Sequence, residues 1–120
     1  MNVEIVEFYL IKRNTTSQKL EGSLRVRLTD FGIQLLGIYV TKSKTGWFFR
    51  TPHGRGTDPK TGATVYFPFL TFDDKQQHTV FMQAVREKGI PFIEKKLADL
   101  DAAADVAAES TNEEVVINKN

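Results

Sequence analysis

The apolar period of this chain changes once, near residue 70, and that change sets the order of its elements. Before it, apolar residues alternate. Val3, Ile5 and Tyr9 interleave with Val6, Phe8 and Leu10, so a first strand carries apolar groups on both faces. Leu24, Val26 and Leu28 alternate with Ser23, Arg25 and Arg27, a half-buried strand whose two arginines point the same way. Phe31 to Val40 reads as a third strand, weakened or bulged at Gly32 and Gly37. Trp47, Phe48 and Phe49, then Val65, Tyr66 and Phe67, favour two more strands. Between these lies a stretch punctuated by Pro52, Gly54, Gly56, Pro59 and Gly62, which reads as a long hairpin loop.

After the change the spacing is helical. Asp73 or Asp74 is placed to cap a helix running to about Lys88, with Val80, Phe81, Ala84 and Val85 on one stripe and Gly89 ending it. Pro91 then opens a second helix through Phe92, Ile93, Leu97, Leu100 and Ala104, with fraying or disorder expected from about Glu109. The expected fold class is α+β: an antiparallel five-stranded sheet with a long basic hairpin loop, followed by one or two C-terminal helices.

Charge is distributed unevenly. The formal net charge is +1, yet residues 1–97 hold 15 Lys/Arg against 9 Asp/Glu, a net of +6. Residues 98–120 hold Lys119 against 6 acids, a net of −5. Two parts are therefore expected: a basic domain over 1–97 and an acidic, alanine-rich C-terminal tail over 98–120. The hairpin loop is flanked and filled by Arg50, Arg55 and Lys60 against one acid, Asp58. With Arg25, Arg27, Lys42 and Lys44 these residues make a candidate surface for nucleic-acid phosphates, which Lys and Arg neutralise without reading bases. Trp47, Phe48, Phe49, Tyr66, Phe67 and Phe69 are mostly core candidates; adjacent Phe48 and Phe49 face opposite ways, so one must leave the core face for a second subunit, a helix or a base.

Catalytic chemistry finds little footing. There is no cysteine, which removes disulfides and thiolate metal sites. His53 and His78 lack convergent partners for a metal site or triad, so neither a metal nor another cofactor is expected. Ser17, Ser23 and Ser43 have no base at a motif spacing, and His53–Gly62 lacks the GK[ST] ending of a phosphate-binding loop. The first residues lack a signal-peptide pattern and no run reaches membrane-spanning length, so a soluble cytoplasmic protein is expected.

Gly37-Ile38-Tyr39-Val40, then Gly46-Trp47-Phe48-Phe49-Arg50-Thr51-Pro52 with a basic loop behind it, and Phe67-Pro68 closing the next strand, resemble the SpoVG family. These are stage V sporulation protein G, bacterial septation and gene-expression regulators. The likeness covers about residues 1–90. His53 stands where the family has serine after the proline, Gly54-Arg55-Gly56 is richer in glycine, and the chain runs on past the family's helix. The resemblance implies a homodimeric sheet-and-helix protein that binds DNA or RNA and has no catalytic role. The rival expectation is a protein-interaction adaptor that uses the aromatic sheet face and the acidic tail.

Overall fold

Strand β2 (Lys19–Leu28) organises the protein, because its alternation is complete: Leu20, Gly22, Leu24, Val26 and Leu28 are buried while the residues between them are turned away. It pairs antiparallel with β1 (Val3–Asn14) on one side and β3 (Ile33–Ser43) on the other, and β3 pairs with β4 (Gly46–Arg50). The sheet order is thus β1-β2-β3-β4. The computed structural model of the chain describes residues 2–118, with side chains over residues 2–104. Of the two bulge positions expected, Gly37 is one: its φ of 85° lies where the β2–β3 register shifts between Leu24 and Val26. Phe31 and Gly32 lie instead in the turn before β3.

The expected five-stranded sheet is replaced by six strands in two sheets. The supposed loop contains β5 (His53–Thr57), which pairs antiparallel with β6 (Thr64–Pro68) in a separate two-stranded sheet. The chain leaves the first sheet at Pro52, which is buried and has no N–H to continue a ladder. Gly54 and Gly56 are strand residues whose missing side chains give space to the rings of β6. A Cβ at Gly54 would stand 2.6 Å from Phe69 Cζ and 2.8 Å from Phe67 Cε2. The turn proper is short: Asp58 N–H donates to Ala63 O, Gly62 N–H to Asp58 O, and Lys60 N–H to Asp58 Oδ1.

Of the one or two C-terminal helices expected, the chain forms one, α1 (Lys75–Asn118), which runs through the break expected at Gly89 and Pro91. Asp74 caps it, its Oδ1 accepting from Gln76 N–H at 2.8 Å. Gly89 does not end the helix. It is buried, and a Cβ there would meet Leu24 Cδ1 at 3.1 Å and Phe49 Cε2 at 3.3 Å, so it marks the closest approach of helix to sheet. Pro91 lies inside the helix with its ring exposed. Phe81, Val85 and Ile93 reach the core beside Val3, Phe8, Leu24, Val26, Ile38 and Val40, while Val80, expected on the buried stripe, and Leu100 are exposed. The fraying expected from about Glu109 concerns residues whose side chains lie outside those described; the backbone there is helical to Asn118. Among the described residues no helix is long and apolar enough to cross a membrane.

Candidate nucleic-acid interface

The helix covers one face of the four-stranded sheet, and among the described residues the other carries no helix. Directly opposed residues in an antiparallel ladder share a face, so the register places side chains in rows. Tyr9, Ser23, Tyr39 and Arg50 form one such row across all four strands of the open face. Lys12, Glu21, Thr41 and Phe48 form the next. Arg25 and Arg27 follow Ser23 on the same side of β2, with Arg27 opposite Glu4 and Gln34.

Charge pairing on this face is incomplete. Arg27 lies 3.5 Å from Glu4 Oε1, a solvated contact that leaves the guanidinium free to exchange partners. Glu7 stands opposite Arg25 in register, but its Oε1 accepts from Lys96 Nζ at 2.7 Å and from Phe8 N–H at 2.8 Å. Those bonds, from Lys96 first and Phe8 second, hold the Glu7 carboxyl below its ordinary range. Arg25 Nε is left buried without a hydrogen-bond partner among the described residues. Burial raises the Tyr39 phenol, reinforced by the Glu21 carboxylate and opposed by the charge of Arg50.

The β5–β6 hairpin extends this surface. His53 packs edge-on against Tyr39, at 6.4 Å between centroids, and tilted against Tyr66 at 6.1 Å. Arg55 opposes Tyr66 and therefore shares its side of the hairpin, two residues from His53. Lys60 is exposed at the hairpin tip. Arg25, Arg27 and Arg50 are thus brought onto one face; Arg55 lies on the side of the hairpin whose His53 meets Tyr39, and Lys60 lies at the far tip. Lys42 is not among them: it opposes Trp47 on the helix side, its Nζ 5.0 Å from the Trp47 ring centroid. Lys44 occupies the β3–β4 turn, at the opposite end of β4 from the one where the chain passes into β5.

Tyr9 and Tyr39 were the residues that sequence reasoning passed over. The parity of Arg25 and Arg27 held the signal for Tyr39, because Ser23 shares that parity and opposes it. The histidines have packing roles, His53 as above with Nδ1 3.2 Å from Thr51 O, and His78 against Phe72 at 5.6 Å. Among the described residues no three His, Asp or Glu side chains gather as a metal site. No family model, curated protein or solved structure matches the chain.

Proposed function

We propose that this chain is a small cytoplasmic nucleic-acid-binding regulator, non-enzymatic and homodimeric, that lays single-stranded DNA or RNA across the open sheet face. The observation that carries the reading is the row Tyr9, Ser23, Tyr39 and Arg50 with Arg25 and Arg27 beside it, aromatic rings and cations interleaved on a face without a helix. Unpaired bases stack on such rings at about 1–3 kcal/mol each, while arginines neutralise the backbone. Arg55, Lys60 and Tyr66 of the hairpin extend the track. The resemblance to the septation-regulator family supports the same class, and a role in septation would follow from it. Val65, Phe67 and Phe69, exposed on the other face of the hairpin, favour a second reading as a protein-interaction adaptor.

Anisotropy titrations with fluorescent single-stranded DNA and RNA at several salt concentrations separate the two. The expected result is salt-dependent binding whose log–log slope shrinks by up to about 0.7 for each of Arg25, Arg27 and Arg50 changed to alanine. Tyr39→Ala is expected to weaken binding with that slope little changed. Absence of binding at low salt would leave the adaptor reading in place.

A further inference from the structure

The helix side of the sheet carries a basic cleft that binding on the open face leaves unused. In register, Arg13, Leu20, Lys42 and Trp47 form one row across β1 to β4. A register shift between Leu10 and Lys12 makes this possible: Lys12 opposes Glu21 on the open face, and Arg13 opposes Leu20 on the helix face. The resulting cleft, about 330 Å³, is lined by Arg13, Lys42 and the apolar Leu20 of this row, by Leu97 of α1, and at its rim by Gln18 and by the adjoining pair Asn14 and Lys19 at the strand ends. Arg13 and Lys42 stand two strands apart, roughly 10 Å between backbones, a gap that two long side chains can close onto one anion.

Asp101 of α1 already plays the part of an anion there. Its carboxylate accepts from both Arg13 terminal nitrogens, at 2.7 and 3.2 Å, the bidentate arrangement that arginine also makes with phosphate. That hydrogen bond raises the Arg13 guanidinium and lowers the Asp101 carboxyl relative to their ordinary values. Among the described residues, neither Lys19 nor Lys42 makes an ion pair. A carboxylate brings one negative charge, whereas a terminal phosphate brings nearly two and a third oxygen with which to reach the lysines.

We infer that this cleft is a second binding site, selective for phosphate groups, and that Asp101 at the root of the acidic tail competes for it. The phosphate comes either from a small phosphorylated molecule or from the terminal phosphate of a nucleic-acid strand. Ligand binding displaces Asp101 from Arg13, so the tail sets the affinity of the site.

Amide and Arg Nε–H chemical shifts of the full chain, titrated at low salt with pyrophosphate and separately with a short 5′-phosphorylated oligonucleotide, test this. Shifts at Arg13, Lys19 and Lys42 with pyrophosphate support a small-molecule site, and shifts there with the oligonucleotide alone support a strand phosphate. Asp101→Asn is expected to tighten the response about two- to fivefold, the worth of one exposed ion pair. Lys19→Ala with Lys42→Ala is expected to abolish it; should that variant fail to fold, the exposed Asp101→Asn change still decides. Cleft shifts that persist in Tyr39→Ala separate this site from the open face. No cleft response to either ligand, or one that is indifferent to Asp101→Asn, overturns the inference.

Discussion

Gly89 and Glu7 show how single residues fix the seat of the helix on the sheet. At Gly89 two effects oppose each other. Alanine favours a helix over glycine by about 1 kcal/mol, but its Cβ would press on Leu24, which is 0% exposed, and on Phe49. Forcing a methyl into a packed core costs about 1–3 kcal/mol when the neighbours cannot yield, so the crowding prevails. Gly89→Ala is therefore expected to lower stability by about 1 kcal/mol in chemical denaturation, and a gain in stability would show that the core yields there. Glu7 acts through charge. Its folded-state carboxyl is held below its ordinary value of 4.5, chiefly by Lys96 and then by the Phe8 N–H, so the folded chain resists its protonation. The stability this confers is present above that ordinary value and is lost as pH falls through the lowered one. Both partners are about one-third exposed, which limits the contribution to below about 1 kcal/mol. Glu7→Gln is thus expected to cost a few tenths of a kcal/mol at pH 7, with the difference from the unsubstituted chain closing as pH drops below 4.5. A constant difference across that range would assign the effect to packing.

Elements with a clean period were legible in the sequence, and those set by tertiary contact were not. The buried set of β2 declared itself by alternation, the helix cap by residue type, though not which of Asp73 and Asp74 makes it, and the bulge by Gly37. The β5 strand did not, because Gly54 and Gly56 carry turn chemistry in isolation; what makes them a strand is Phe67 and Phe69 lying where their side chains would be. Gly89 and Pro91 misled in the same way. Each breaks a helix on propensity alone, yet the close seat on Leu24 and Phe49 asks for a glycine, and packing on both sides of the pair keeps the helix continuous. The candidate site was half legible. Arg25 and Arg27 were assigned to one face by their spacing, but joining them to Arg50 and separating them from Lys42 required the pairing register, which spacing within a strand does not contain.

At the scale of the whole molecule the least covered apolar surface belongs to the β5–β6 sheet. A two-stranded ribbon is marginal by itself, and this one is braced on one side through His53 against Tyr39. Phe69 N–H to Pro52 O adds one more rung to its own ladder. On its other face Phe67 is 44% and Phe69 69% exposed, large apolar groups that a monomer leaves in water. Among the described residues β6 pairs only with β5, so its outer edge has no strand beside it. A second copy related by a twofold axis answers both deficits. Two β6 strands pairing edge to edge turn two ribbons into one four-stranded sheet, and the Phe67 and Phe69 rings of both copies gather on the same side of it. The symmetry would also carry two open faces, doubling the track for a strand of nucleic acid and raising its avidity where the spacing permits. Sedimentation of the full chain at micromolar concentration is expected to give a dimer. Phe67→Ser with Phe69→Ser is expected to give a folded monomer, since neither ring belongs to the buried core of the main sheet and helix. A monomer in the unsubstituted chain would remove the twofold arrangement and leave the apolar face of the hairpin for a different protein, the adaptor reading.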